Sequence, residues 1–145
     1  MTRSLLLVGF TCACACGEPL PTDVADYAST CIQVNAEEIP PDDDVPHGDY
    51  KTVYACHVST EDLAASSYPD GAIMVKAARK SEQDYPFLIA TARKQGGTWS
   101  WAEYTRNFPT ETFLKLPIAE AVCINCHQKY EAVDWIATPY DSPLQ

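Results

Sequence analysis

Positive charge is scarce in this chain of 145 residues, which has 10 lysine and arginine residues against 20 aspartate and glutamate residues and a net charge of −10. Nucleic acids and anionic lipid headgroups bind proteins largely through clustered lysine and arginine side chains. The composition therefore argues against nucleic acid and against an anionic membrane surface as partners. It fits a basic redox protein as a partner, or no protein partner.

No apolar run is long enough to cross a bilayer. A membrane-spanning helix needs about 20 apolar residues, whereas the apolar stretch near the N-terminus covers only residues 5–10. Hydrophobic residues make up 46% of the chain and charged residues 21%, which is typical of a globular protein. The length suits one domain with one sizeable core.

Histidine is also scarce, with three residues, and the chain has no His-x-x-x-His and a single Cys-x-x-Cys. Tetrahedral zinc sites built from such pairs need a second pair. The single pair lies in Cys123-Ile124-Asn125-Cys126-His127, which matches the C-x-x-C-H attachment signature of c-type haem. In that chemistry two thiols add to the two haem vinyl groups, and the adjacent imidazole becomes the proximal iron ligand.

We therefore predict one covalently bound haem c. Cys123 and Cys126 would be the thioether attachment points, and His127 would be the metal ligand. The alternatives are a chance occurrence of the motif, a disulfide between the two cysteines, and half of a zinc site.

The N-terminal residues resemble an export signal. Arg3 precedes the apolar residues 5–10, and Ala13-Cys14-Ala15 has the small-x-small pattern of a signal-peptidase site. We predict a signal peptide over residues 1–15, followed either by plain secretion or by lipidation of Cys16, as in a bacterial lipoprotein; the alternative is an N-terminal core helix. Export agrees with the haem motif, because bacteria attach haem covalently outside the cytoplasm. The predicted location is the periplasm or the outer membrane, with a lipid anchor as the only membrane contact.

Two further cysteines remain in the mature chain. In an oxidising compartment Cys31 and Cys56 would be able to form a disulfide. They would otherwise be two small, buried apolar residues. The sequence leaves both alternatives open, because it does not show whether the two residues lie close together.

Residues 16–49 are predicted to form an N-terminal helix and an acidic, proline-rich loop, and residues 50–145 the haem domain. Thr22 is the candidate N-cap of this helix. One helix face would carry Val24, Tyr27, Ala28 and Cys31. Residues 36–49 are rich in proline and contain three successive aspartates, so we expect a loop. The aspartates form either a solvated surface or a docking patch for a basic electron donor.

An alternating pattern of side chains predicts four strands, over residues 50–58, 72–78, 87–93 and 98–106. A capping box at Ser59 and Asp62 predicts a short helix after the first strand, and Gly96-Gly97 predicts a hairpin between the last two. Pro117 suits the first turn of a helix that leads into the haem motif. The predicted fold class is α+β: a mainly antiparallel sheet with flanking helices and a C-terminal helix that carries the haem motif.

Three stretches together resemble the cytochrome P-460 family, which includes the cytochromes c′-beta. They are Tyr50-Lys51-Thr52-Val53-Tyr54, the segment from Tyr68-Pro69-Asp70-Gly71 to Val75-Lys76, and the haem motif followed by Asp134-Trp135-Ile136-Ala137-Thr138. The resemblance covers residues 50–144 and implies a secreted, often dimeric haem protein with an antiparallel sheet. It also implies a single haem that acts on small nitrogen oxides.

The resemblance makes Lys76 a candidate cofactor-binding and catalytic residue. In some family members a lysine at the matching position is cross-linked to the macrocycle, and in others it is not. Strand geometry places Ala72, Met74 and Lys76 on one face, which would look onto the distal side of the haem. The alternative is a surface lysine whose stem packs on the sheet.

The chain also departs from the family pattern. Members that oxidise hydroxylamine use a distal glutamate as proton acceptor, but the corresponding strand, residues 87–93, contains no acid. The nearest candidates are Glu82, Asp84 and Glu103, each expected to be exposed. Lys51 stands where the family often has a distal arginine.

Three side chains are candidates for a sixth iron ligand: Met74, His57 and His47. We expect His47 to be exposed in its loop, and Met74 to pack in the core unless it is a ligand. An open distal site is therefore favoured. Some of the aromatic residues Phe87, Trp99, Trp101 and Tyr104 are expected to line it, as an apolar wall that favours uncharged diatomic ligands.

The predicted function is an exported monohaem cytochrome with an open distal site that binds or redox-processes nitric oxide or hydroxylamine. Whether it is an enzyme stays open; if it is, it would be a haem oxidoreductase. The alternative is a six-coordinate electron-transfer cytochrome c with Met74 or His57 as sixth ligand. Dimerisation is expected by analogy alone.

Overall fold

The computed structural model describes residues 17–42, 47 and 49–141. The predicted signal peptide, the lipidation candidate Cys16 and two of the loop aspartates, Asp43 and Asp44, lie outside the described residues. Within the described ranges no helix is long and apolar enough to cross a membrane.

A six-stranded antiparallel sheet forms the centre of the fold, and its strands are adjacent in chain order. The strands are β1 (Ile32–Gln33), β2 (Tyr50–Cys56), β3 (Ile73–Arg79), β4 (Leu88–Gln95), β5 (Thr98–Thr105) and β6 (Leu114–Lys115). The four longer strands correspond to the four predicted ones. The two short edge strands were not predicted, because two residues are too few to show an alternating pattern. The predicted α+β class with a mainly antiparallel sheet is confirmed.

The register of the sheet aligns four side chains in one row. Val53 pairs with Lys76, Lys76 with Ala90, and Ala90 with Glu103. Directly paired residues project from the same side of a sheet, so this row crosses four strands on one side, which we call the front face. The opposite side is the back face.

The β4–β5 hairpin fixes part of that register. Gly96 and Gly97 have φ of 57° and 76°, values that glycine adopts without steric cost, and Gln95 pairs with Thr98 across the turn. The carboxylate of Asp70 accepts hydrogen bonds from the amides of both glycines, at 3.0 and 2.9 Å. The predicted two-glycine hairpin is confirmed.

The helices are short: α1 (Tyr27–Thr30), α2 (Thr60–Ala65) and α3 (Glu120–His127), with 3₁₀ helices over Thr22–Val24 and Gln128–Val133. The capping box that starts α2 is present as predicted, with Ser59 Oγ accepting from the Asp62 amide. The prediction of one helix capped by Thr22 is wrong, because the backbone leaves helical geometry at Asp26. The helical position predicted for Pro117 is also wrong, because α3 begins only at Glu120.

Both faces of the sheet are covered. On the front face, α2 and the C-terminal segment pack through Leu63 and Ile136 on the sheet residues Val53 and Met74. On the back face, Val24 and Tyr27 of the N-terminal helical turns pack against strand residues such as Val75 and Ile89. A Cys31–Cys56 disulfide, with a Cα–Cα distance of 4.5 Å, joins the end of α1 to the end of β2. Of the two alternatives for these cysteines, the disulfide is therefore the correct one.

Candidate functional site

A cavity lies between α3 and the front face of the sheet, with about 500 Å³ of space when its open mouth is included. Residues of strands β2 to β5, of helix α3 and of the C-terminal segment line it, together with His47: Val53, Met74, Lys76, Ala90, Thr91, Ala92, Trp101, Ala102, Glu103, Cys123, His127, Ile136, Ala137 and Thr138.

One ring nitrogen of His127, Nε2, is available to bind a ligand at this cavity. Its Nδ1 lies 2.8 Å from the backbone carbonyl of Trp135. A carbonyl oxygen only accepts, so Nδ1 carries the proton and Nε2 is left with its lone pair. Burial lowers the pKa of His127, the charge of Lys76 acts in the same direction, and the Trp135 carbonyl opposes them. The neutral imidazole that results is the form that ligates metals.

Trp101 on β5 fixes the position of the His127 ring. The two ring centroids are 4.0 Å apart. The first turn of α3 is attached to the same strand, because Glu120 Oε1 accepts a 2.7 Å hydrogen bond from the Trp101 amide. The helix is therefore anchored to the sheet at its start and at its last residue.

Cys123 and Cys126 are free thiols, each half-buried, although the chain carries a disulfide elsewhere. Cys123 lines the cavity together with His127. Burial raises the pKa of the Cys123 thiol, and the charges of Glu103 and Glu120 act in the same direction. Cys126 is not among the lining residues, but it is close enough for its charge to affect the pKa of Lys76. The disulfide alternative for this cysteine pair is not what the structure contains.

Helix α3 is packed loosely against the rest of the chain. It contains no buried residue, and Val122 and Ile124 are 61% and 37% exposed. An apolar helix of this kind usually buries one face. Helix α3 departs from this pattern.

Lys76 projects from the middle of β3 into the cavity, as its strand position predicts. Burial lowers the pKa of its amine, and the neighbouring charge of Lys51 acts in the same direction. No salt bridge in the described part of the chain includes Lys76. A lowered pKa increases the fraction of neutral amine, which is the nucleophilic form.

Glu103 and His47 form a pair in the cavity wall, at 2.8 Å between Glu103 Oε1 and His47 Nδ1. Their side chains are only 13% and 15% exposed, so the expectation that both are exposed is wrong. The register of the β4–β5 hairpin would have indicated Glu103, because a turn at Gly96-Gly97 pairs position 103 with position 90. Nothing in the sequence indicated that the loop would bring His47 to the same place.

Of the other candidate residues predicted from the sequence, some line a cavity and others are exposed away from it. Met74 is buried in the cavity wall. His57 is exposed at the end of β2 and does not line the cavity. Glu82 and Asp84 are exposed, as expected. Lys51 is buried, at 2% exposure, and lines an adjacent cavity that shares Lys76 with the first.

Of the four aromatic candidates, only Trp101 lines the cavity. Trp99 belongs to the core of the front face and Tyr104 to the core of the back face. Phe87 precedes β4 and is not a lining residue. The remaining wall is made largely of alanine and other small or aliphatic residues.

A scan against protein-family models finds no match for this chain, and a search of curated proteins finds no significant match. Among the described residues, no three or more His, Cys, Asp or Glu side chains cluster as a metal-holding group.

Proposed function

We propose that this chain is an exported monohaem c-type cytochrome, attached through Cys123 and Cys126 and ligated by His127. Its open distal site would bind or redox-process small nitrogen oxides, with nitric oxide first and hydroxylamine second. Membership of the cytochrome P-460 family is part of the proposal. The proposal depends on one arrangement. Helix α3 is loosely packed beside a largely apolar cavity and carries two free thiols and one imidazole, of which, within the described part of the chain, only Nδ1 is hydrogen-bonded.

The residues present fit a haem. The thiols of the motif are unpaired, and among the described residues His127 Nε2 has no hydrogen-bond partner. Helix α3 also lacks the buried face that would otherwise hold it to the sheet. An apolar macrocycle between α3 and the front face would contact the aliphatic lining residues. The open mouth of the cavity leaves a path for a small ligand.

When bound, the haem iron supplies the centre that binds the ligand and exchanges electrons. The chain's own residues set the surroundings. Val53, Met74 and Ala92 give the cavity an apolar wall, which excludes water and favours an uncharged ligand such as nitric oxide. His127 is held in one orientation by the Trp135 carbonyl.

Two polar side chains favour a redox role as well as simple binding. Glu103 is a carboxylate in the cavity wall, and it is the group available to accept a proton from a bound N–H. His47 holds this carboxylate in place. Lys76 is the residue that a cross-link to the macrocycle would use.

Location and partners follow from the sequence. We propose export to the periplasm or to the outer membrane through a lipid on Cys16, a basic redox protein as partner, and a homodimer as the assembly. The acidic charge balance, −10 overall, supports the basic partner.

An electron-transfer cytochrome with a closed sixth position is the second candidate. The burial of Met74 in the cavity wall favours it, because a thioether there is available as a ligand. His57 is no longer a candidate ligand for this role, since it lies outside the cavity.

The test is to express the full-length chain in a bacterium with haem-attachment machinery, and to record its mass and its optical spectrum. We expect covalent haem in the wild type and none in a Cys123→Ser/Cys126→Ser variant.

A high-spin ferrous spectrum that changes on addition of nitric oxide supports the open site, and a low-spin spectrum lost in Met74→Leu supports electron transfer. A red-shifted Soret band that returns to an ordinary position in Lys76→Leu, but not in Lys80→Leu, identifies the cross-link. A purified wild-type chain without haem would refute both candidates.

A further inference from the structure

Asp134 is a meeting point of hydrogen bonds from three separate parts of the chain. Its carboxylate accepts from the Tyr68 amide at 3.0 Å, from Trp99 Nε1 at 3.1 Å and from Lys94 Nζ. Lys94 also donates to the Tyr68 carbonyl at 2.8 Å. The turn before β3, the end of β4 and the start of β5 are thereby joined to the C-terminal segment through one side chain.

The backbone at this point is in an uncommon conformation. Asp134 and Trp135 have φ of 51° and 69°, in the left-handed region that residues with a Cβ seldom adopt. Two successive residues of this kind persist only where the surroundings hold them. The three donors to its carboxylate help to hold Asp134, together with the hydrogen bond from its own amide to the Glu131 carbonyl at 3.1 Å.

The held segment sets the position of one carbonyl. The Trp135 amide donates to the Tyr130 carbonyl at 2.9 Å, and the Trp135 carbonyl accepts from His127 Nδ1 at 2.8 Å. A change at Asp134 would therefore be transmitted through one peptide unit to the imidazole. No described contact joins Asp134 to His127 directly.

We infer that Asp134 is a positioning residue for His127: by fixing the backbone at Trp135, it keeps the carbonyl that orients the ring and holds the proton on Nδ1. The inference rests on the proposed function in so far as His127 is an iron ligand. A hydrogen bond from the second ring nitrogen of a ligating histidine fixes its tautomer and makes it a more basic ligand. Loss of Asp134 would then weaken the bond between His127 and iron, although Asp134 touches neither.

The test uses the full-length chain with Asp134→Asn, because asparagine tolerates the left-handed backbone but cannot accept all three hydrogen bonds. The control is Asp23→Asn, which removes another carboxylate–cation pair, that of Asp23 with Arg93 at 2.6 Å. Arg93 pairs with Ile73 in the sheet and Ile73 belongs to the back-face core, so the control lies away from the cavity.

Two signals are measured. In ¹⁵N-histidine-labelled protein in a diamagnetic state, we expect the His127 Nδ1–H resonance to lose its downfield position and to exchange faster with solvent in Asp134→Asn. In the reduced haem form, we expect the iron–histidine stretching band to move to lower frequency. Asp23→Asn should change neither signal.

If Asp134→Asn leaves both signals at their wild-type positions, the inference is overturned. If the wild type carries no haem, the proposed function fails, but the first signal still tests the role of Asp134. Should Asp134→Asn not fold, Lys94→Gln removes the charge of one of the three donors and shortens its side chain. It is expected to move both signals the same way by a smaller amount, and unchanged signals in that variant likewise overturn the inference.

Discussion

At the scale of single residues, an acid and an amine lie in a cavity wall that consists largely of small and aliphatic residues. Glu103 and Lys76 occupy the same cross-strand row, separated by Ala90. Glu103 is bound to His47, whereas Lys76 has no salt bridge in the described part of the chain. In the proposed chemistry the two side chains would therefore have different tasks: the carboxylate would accept a proton, and the amine would be available for reaction.

Replacing Glu103 by glutamine tests the first task. Glutamine keeps the size and can still accept a hydrogen bond from His47, but it cannot take up a proton. We expect the rate of hydroxylamine oxidation to fall by about 100-fold or more, since a positioned general base contributes roughly 10²–10⁴ in rate. Nitric oxide affinity should change little.

The matched control is Glu82→Gln, at an exposed position. It should oxidise hydroxylamine at the wild-type rate. Equal rates for the Glu103 and Glu82 variants would remove Glu103 from the proposed chemistry.

The charge state of Asp134 predicts a pH dependence of stability. Burial acts to raise the pKa of this carboxyl, but the hydrogen bonds from Lys94, the Tyr68 amide and Trp99 outweigh burial and leave the pKa lowered from 3.8. A carboxyl with a lower pKa in the folded state stabilises the fold above its unfolded pKa, and this contribution disappears as the pH falls through the folded value.

We therefore expect the urea midpoint of the wild type to decline below about pH 4. Asp134→Asn should be less stable than the wild type at pH 6 and should lose less of its stability on acidification. Asp26→Asn, which removes an exposed carboxylate, should show the same decline of the urea midpoint with falling pH as the wild type. If the urea midpoints of the wild type and Asp134→Asn fall equally with pH, the prediction is contradicted.

At the scale of elements, α3 and the sheet differ in how firmly they are held. Strands β2 to β5 form continuous ladders with buried residues on both faces. Helix α3 is fixed by the Glu120–Trp101 hydrogen bond and by the contacts of its final residue, His127, and none of its residues is buried. In the proposed haem form, its order would therefore depend more than that of the sheet on the group bound in the cavity.

Hydrogen exchange measured by mass spectrometry tests this difference. We expect amides of residues 120–133 to exchange much faster in Cys123→Ser/Cys126→Ser than in the wild type, because local opening follows the loss of buried contacts. Amides of β3 and β4 should keep their protection in both proteins and serve as the internal control. Equal protection of α3 in the two proteins would show that no group bound through these cysteines supports the helix.

At the scale of the whole molecule, charge is the dominant feature. The excess of acidic over basic residues gives −10, and long-range attraction of this kind mainly raises association rates. A basic partner would be steered to the surface and an acidic one repelled. The effect is screened over about 10 Å at 0.1 M ionic strength.

Stopped-flow electron exchange with a basic c-type cytochrome is the corresponding measurement. We expect the bimolecular rate constant to fall by about 10-fold or more as the salt concentration rises from 10 mM to 500 mM, since steering contributes 10–10³ in rate. An acidic cytochrome of similar potential should show the opposite trend. A rate that does not depend on salt with either partner would exclude electrostatic steering.

Local sequence determined much of the architecture. Alternation of side chains gave the four long strands, the Ser59–Asp62 capping box gave α2, and Gly96-Gly97 gave the hairpin. These features depend on residues within one or two turns of each other, and backbone preferences act over that range. The C-x-x-C-H motif is equally local, so its three site residues could be named without a fold.

The tertiary structure decided what surrounds that motif. Glu103 and His47 meet because the sheet register and the tertiary position of His47 bring them together. Asp134 accepts hydrogen bonds from donors that lie between 35 and 66 positions away along the chain. The Cys31–Cys56 pairing likewise depends on the packing of the N-terminal segment against β2. Contacts between distant residues are set by how the elements pack, and no local preference encodes them.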